Sequence, residues 1–252
     1  MSLVAIMTAN LNVMAQETAT AKAFMGDDVN RSQVSFITDG NWNDGSNWDT
    51  GVVPPAGSDV VIMANAVIPA GYIAIANEVS IEDGSITVAD GGQLRHNTEG
   101  LVVTMKKNIE PYNDVNGTDN YYLLAFPFSV DVAVPNAMTA IEGNDFYKFD
   151  GDYLGAEWRN NKQETIATVS GITGYLYACP EALELSLTGS TYPSYNEEVI
   201  PVTVPYDEGS TNSYNGWALL GNPFTCNAYI YCHNSNNELV PMDFMVYAQR
   251  VN

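Results

Sequence analysis

A chain of 252 residues with 46% apolar side chains can bury a substantial core, which excludes global disorder and leaves room for one large all-β domain or two smaller ones. Thirty Asp and Glu against nine Lys and Arg give a net charge of -21, and so acidic a surface repels phosphate backbones, which excludes nucleic acid as a partner class. Charged residues are only 15% of the chain, and the abundant Asn, Thr, Ser and Gly favour turns and strands over helices, so the expected class is all-β.

Residues 1–34 read as a signal-like segment and a flexible leader. Leu3 to Ala15 is mostly apolar and ends on Val13-Met14-Ala15, a small-residue pattern of the kind that precedes signal cleavage, although no Lys or Arg comes before it and Asn10 and Asn12 interrupt it. The run is too short and too polar to cross a bilayer, so no membrane span is expected. Glu17 to Gln33 carries no strong period.

Residues 35–105 change character. Two tryptophans, Trp42 and Trp48, punctuate a turn-rich passage, and short apolar bursts follow: Val60/Ile62, Val67-Ile68, Ile73/Ile75, Val79/Ile81, Ile86/Val88, Leu94 and Leu101/Val103. Turns such as Asp83-Gly84 and Asp90-Gly91-Gly92 separate them. Strands this short and this closely spaced suit a short parallel β-solenoid, in which each coil buries its residues against the one before. A meander of hairpins built on the same turns is the alternative. Trp42, Trp48 and the run Val53-Pro54 through Asp59-Val60-Val61-Ile62 make this region resemble a module of secreted surface proteins of Bacteroidetes-type bacteria. The resemblance implies a β-helix-like fold and an exported origin, and no reaction.

Residues 106–120 read as a linker, with Pro111 ending any strand and Asn113 to Asn120 rich in turn formers. Residues 121–252 then carry seven or more short strands, which predicts an antiparallel β-sandwich. The expected strands are Tyr121-Phe126, Phe146-Phe149, Thr165-Val169, Gly174-Ala178, Leu183-Leu187, Val199-Val204, Trp217-Leu220, Ala228-Cys232 and Phe244-Ala248. One unit recurs: Tyr121 to Ser129 and Trp217 to Thr225 share Leu-Leu and Pro-Phe in gapless alignment, each an apolar run stopped by a proline. Because the polar residues of the second copy have only Phe126 and Ser129 as counterparts, the echo is expected to be a core element. The segments Phe146 to Asp150, Gly171 to Ala178 and Gly216 to Phe224 also resemble the same class of adhesin-like surface proteins. That class normally carries a C-terminal sorting tail, which does not follow here, so the sandwich is expected to be truncated.

The chemistry-bearing residues are sparse. Cys179, Cys226 and Cys232 make no metal pattern; Cys179 bridged to either of the others, or three free thiols, are the two readings. His96 and His233 are the only histidines and fall in different expected domains, with no Gly-x-Ser-x-Gly motif beside them. A β-helical polysaccharide lyase needs cations to neutralise a uronate, and Arg95, Lys106 and Lys107 alone stand near the solenoid. No enzyme is expected and no cofactor, apart from calcium. Asp114, Asn116 and Asp119, with Asp150 and Asp152, carry oxygen ligands at the spacing of a calcium-binding turn. Tyr153, Trp158, Tyr192 and Tyr195 lie in turn-rich stretches where rings could stack on a sugar while Asn and Asp bond its hydroxyls. The expected function is that of a non-enzymatic exported protein, extracellular or on the outer cell surface, acting in adhesion or as a structural spacer. Its partners would be a glycan or a host or bacterial surface protein; the alternative is a carbohydrate-binding module of a glycan-degrading system.

Overall fold

The structure, a computed structural model, describes residues 4–7, 10–15, 33–112, 121–151, 157–195, 199–203, 207–212, 214–233 and 239–241. The protein is mostly β, with several sheets and almost no helix. Its first strands, β1 (Val4–Met7) and β2 (Asn10–Ala15), find partners near the other end of the chain, as set out below.

The next eight strands alternate between two sheets. β3 (Gln33–Phe36), β5 (Ser58–Ile62), β7 (Ile73–Ile81) and β9 (Gln93–Arg95) pair in parallel in that order, while β4 (Gly40–Asn41), β6 (Asn65–Ile68), β8 (Ser85–Val88) and β10 (Val102–Ile109) form a second parallel ladder. Side-chain ladders at two corners reinforce this stacking. At one, Asn77 Nδ2 donates to Asp59 Oδ1 and Asn97 Nδ2 to Asn77 Oδ1, both at 2.6 Å; at the other, Asn65 donates to Asp39 and Ser85 Oγ to Asn65 Oδ1. These Asn and Asp side chains therefore tie successive rungs of the parallel ladders to one another. Gly84 is required in the turn before β8: its φ of +79° is left-handed, and a Cβ there would collide with the Ala64 carbonyl.

Between the sheets lie Val34, Phe36, Val60, Ile62, Ala66, Ile68, Ala74, Ala76, Ile86, Val88, Leu94 and Val103, all buried. The bursts Ile73/Ile75 and Val79/Ile81 belong to one strand, and Ile73 and Ile81 point outward while Ala74 and Ala76 fill the interior. A register shift between Ser58 and Val60 opposite β7 breaks the simple alternation and puts Val79 inside with the alanines. Trp42 and Trp48 close this core against Phe36. Trp48 meets both other rings edge-on at 5.0 Å, and its Nε1 donates to the Trp42 carbonyl at 2.8 Å. The same loop folds back along the outer edge of β3, where Ile37 N–H reaches the Asn47 carbonyl and Asp49 N–H the Ser35 carbonyl, so that edge is covered.

The remaining elements are β11 (Tyr122–Leu124), β12 (Val132–Ala133), the single turn α1 (Asn136–Thr139), β13 (Asp145–Phe149), β14 (Trp158–Asn160), β15 (Thr168–Val169), β16 (Tyr175–Ala178), β17 (Leu183–Ser190), β18 (Val199–Thr203), β19 (Trp217–Leu220), β20 (Ala228–His233) and β21 (Leu239–Pro241). They make small antiparallel sheets in the orders β11-β16-β13-β14, β12-β15, β1-β19 and β18-β2-β20-β21. The expected strand at Phe244-Ala248 lies outside the described residues.

β17 leaves that group and pairs antiparallel along β10, from Val102 opposite Ser190 to Ile109 opposite Leu183. Lys106 to Ile109, read from sequence as linker, are thus strand. Their polarity misled because both lysines are satisfied: Lys106 Nζ reaches Glu184 at 2.6 Å, and Lys107 Nζ reaches Asp90 at 2.8 Å while lying 5.8 Å from the Tyr122 ring centroid. One buried cluster runs from Val34 through Leu124, Phe146 and Tyr177 to Leu187, so the core is continuous across this junction.

The two copies of the echo touch. Gly221, which aligns with Ala125, lies so close to it that an added Cβ would sit 2.7 Å from the Ala125 methyl. Between them runs a single segment, bonded to β19 through Gly174 N–H to the Leu219 carbonyl and to β11 through the β16 pairing. The copies belong to different small sheets and meet at their proline stops.

Candidate functional site

Of the four ring residues expected from sequence, the three that are described stand in different surroundings. Tyr195 is buried, 7% exposed, with its ring over the Arg95 guanidinium and its hydroxyl against Gly57. Tyr192 is half-buried; its ring lies edge-on to Phe224 at 6.5 Å and its hydroxyl donates to the Ser129 carbonyl. It is a strut between the two Pro-Phe copies. Tyr153 lies outside the described residues, as do Asp114, Asn116, Asp119 and Asp152. Of the expected calcium ligands only Asp150 is described; its N–H donates to the Glu157 carbonyl at 2.7 Å. Among the described residues no group of three His, Cys, Asp or Glu side chains converges. Cys179 is a buried free thiol, and Cys226 is buried as well.

Trp158 stands apart, being 41% exposed. It faces Phe149 across the β13–β14 pair, with ring centroids 5.2 Å apart at 68°. Phe149 in turn meets Tyr214 at 5.9 Å, and Tyr214 meets Trp217 at 6.2 Å, both nearly perpendicular. The result is a chain of four rings whose ends come from different sheets, with Tyr214 as exposed as Trp158. Edge-to-face contacts hold such rings in fixed orientation, so their free faces are presented without much further loss of side-chain freedom.

Local sequence accounts for that placement. The segment Asp207 to Trp217 is tied by Asx-type bonds: Gly209 N–H to Asp207 Oδ1, Tyr214 N–H to Asn212 Oδ1, and Asn215 Oδ1 accepting from Asp207 N–H. Asn212 Nδ2 also donates to the Gly151 carbonyl, docking this loop on the turn after β13. These bonds fix the loop that carries Tyr214 against the turn after β13.

At the other end of β13 from Phe149, Asp145 accepts from Tyr121 Oη at 2.9 Å, Lys162 Nζ at 3.2 Å and Asn160 Nδ2 at 3.2 Å. Burial alone would raise its carboxyl, but these three bonds outweigh it and hold Asp145 below the ordinary carboxylate range. The Tyr121 hydroxyl is pushed up, by burial first and by that carboxylate second. Asp145 is thus a fixed anion that fastens β13 to β14 and to Tyr121 just before β11.

Phe149, Tyr214 and Trp217 were not singled out as ligand residues from sequence. The turn formers around Tyr214 were the available signal; the proximity of β13 to the loop before β19 was not. Comparison with protein-family models, with curated proteins and with solved structures gave no match.

Proposed function

We propose that this is a non-enzymatic, exported cell-surface protein that acts in adhesion or as a structural spacer. The observation that carries this reading is the long antiparallel ladder between β10 and β17, which joins the parallel sheets to the later strands through continuous backbone hydrogen bonds. A spacer must transmit load between its ends, and eight paired residues with a shared core spread that load over many bonds. The finer architecture follows the same reading: the two parallel ladders are the faces of a short solenoid-type stack, and the later sheets are the layers of a sandwich. The acidic, weakly charged surface and the resemblance to Bacteroidetes-type surface proteins support an exported location.

The export reading has a direct test, because Leu3 to Ala15 would be removed as a signal while β2 pairs between β18 and β20. Cleavage would leave the facing edges of β18 and β20 unpaired. N-terminal sequencing of protein recovered outside an expressing Gram-negative cell is expected to begin at Gln16. Recovery only from the cytoplasm, with residues 1–15 intact, overturns it.

A second reading, a carbohydrate-binding module, is favoured by the exposed rings of Trp158 and Tyr214, each held edge-on to Phe149. Titration against a panel of host and plant glycans separates the two. For the spacer, no saturable heat is expected across the panel. Saturable binding that disappears in Trp158→Ala and Tyr214→Ala, both of which should fold normally, would replace the spacer by the binding module.

A further inference from the structure

Among the described residues Lys148 is the one lysine without an acidic partner. Lys106, Lys107 and Lys162 pair with Glu184, Asp90 and Asp145, whereas no acid pairs with Lys148. In the sheet it stands opposite Arg159 of β14 on one side and Tyr175 of β16 on the other. Residues directly opposite across antiparallel strands point to one face, so two cations are set side by side, an arrangement that costs stability unless an anion joins them. Glu164 forms an ion pair with Arg159 and leaves Lys148 without one.

A cavity of about 270 Å³ lies at these residues. Lys148, Arg159 and Tyr175 line it from the strands, and residues 164–168 line it from the segment after β14. That segment is held in place: Ile166 N–H donates to Asn161 Oδ1 at 2.7 Å, the Ala167 carbonyl accepts from Val134 N–H at 3.1 Å, and Thr168 begins β15, which pairs with β12. Tyr175 is buried, its ring 5.5 Å from that of Phe146 and its hydroxyl accepting from Ser170 N–H at 3.1 Å. Among the described lining residues two bases stand against one acid, a surplus of one positive charge. Besides this charge, the lining includes the hydroxyl residues Thr165 and Thr168 and the apolar Ile166 and Ala167.

We propose that this cavity binds a hexuronate unit, with the sugar carboxylate held by Lys148 and Arg159. The surplus charge matches a single carboxylate, which a guanidinium receives through two parallel N–H groups. The threonines suit ring hydroxyls, and the Tyr175 and aliphatic surfaces suit the C–H face of a pyranose. A volume just under the usual range of about 300–1,000 Å³ limits the occupant to one monosaccharide-sized unit. Glu164, with half of its side chain exposed, competes with the ligand for Arg159. The net charge of -21 does not forbid an anion here, because distant acids are screened beyond about 8 Å at physiological salt while the two bases act at contact. Phe149 and Trp158 are the chain neighbours of Lys148 and Arg159 and point to the opposite face of the sheet. The site is therefore separate from the exposed rings, and it gives the adhesion side of the proposed function a ligand class of its own.

Calorimetric titration of the full chain with sodium glucuronate and sodium galacturonate, against glucose and sodium acetate at matched ionic strength, tests this. Saturable binding of at least one hexuronate is expected, with glucose and acetate each weaker by about tenfold or more, since each carries only part of the recognised group. Lys148→Gln should weaken hexuronate binding by about tenfold and Lys148→Arg should keep it. Glu164→Gln, which removes the competing carboxylate, should tighten it by about two- to fivefold. Trp158→Ala and Tyr214→Ala should leave it unchanged, and that result would select adhesion over the spacer without calling on the rings. No hexuronate binding in wild type and in Glu164→Gln overturns the site, as does acetate binding as tight as hexuronate, an affinity untouched by Lys148→Gln, or a loss in Trp158→Ala. A gain in Glu164→Gln does not arise from misfolding, so the outcome does not depend on a lysine variant folding.

Discussion

Trp48→Ala is expected to lower stability by about 3–5 kcal/mol, seen as a drop in denaturant midpoint with an unchanged slope. The indole is 2% exposed and meets Phe36 and Trp42 edge-on, each at 5.0 Å. Its removal leaves a cavity at the end of the parallel core and also strips the Trp42 carbonyl of its donor. The loop that carries it covers the outer edge of β3, so loss of the plug also loosens that cover and exposes a strand edge to aggregation. Trp158→Ala is the control: with its ring 41% exposed, it should cost less than about 1 kcal/mol. A Trp48→Ala chain as stable as the Trp158→Ala chain would show that the aromatic triad is not the closure of this core.

Acidification should remove about 3 kcal/mol of stability through His96 alone, between pH 6.5 and about 4. His96 is fully buried, and burial pulls its ring from the ordinary 6.5 down to about 4, the Thr98 backbone opposing this weakly. The Thr191 hydroxyl gives its proton to the Leu101 carbonyl at 2.8 Å, so at the 3.1 Å contact with Thr191 the donor is His96 Nε2. The native ring is therefore neutral, with Nδ1 unprotonated. Below pH 6.5 the unfolded chain takes up a proton that the folded chain refuses until about pH 4; stability is complete above 6.5 and falls through that window. Self-repulsion of the acidic surface eases over the same range, so the measurement is a difference: wild type minus His96→Gln, in denaturant titrations at pH 7, 5.5 and 4. A difference that stays constant with pH would mean that His96 is not held neutral by its surroundings.

Both residues were visible in the sequence in unequal degree. Trp42 and Trp48 sit in a turn-rich passage ahead of a run of short apolar bursts, and amphipathic aromatics at such positions commonly close a core. His96 carried no signal beyond its type. It is buried because Thr191 to Tyr195 crosses β9 nearly a hundred positions later, a contact no local pattern encodes. The same crossing buries Tyr195, whose flanking proline and polar neighbours suggested a solvent-facing loop. In the aromatic cluster, Trp158 was legible as a turn-region ring, while Tyr214 and Phe149 join it only through the docking of Asn212 on Gly151.

Strand positions were largely recoverable. Phe146-Phe149, Gly174-Ala178, Leu183-Leu187, Val199-Val204, Trp217-Leu220 and Ala228-Cys232 each correspond to an observed strand within a residue or a few. The face that each strand buries was less so. In β7 the larger isoleucines, Ile73 and Ile81, point to solvent and the alanines inward, because alternation identifies two faces without saying which one meets the second sheet.

Residue types and spacing in this chain are enough for the β class, the turns, the acidic weakly charged surface and the internal echo, since each depends on propensity or composition over a few neighbouring residues. Partner choice depends instead on long-range packing. The pairing of β10 with β17, the insertion of β2 between β18 and β20, the contact of Gly221 with Ala125 and the enclosure of Arg95 under Tyr195 all join residues far apart in the chain. Backbone hydrogen bonding is the same for every strand and carries no address, so only the fit of side chains in the assembled core selects among the partners that local sequence allows.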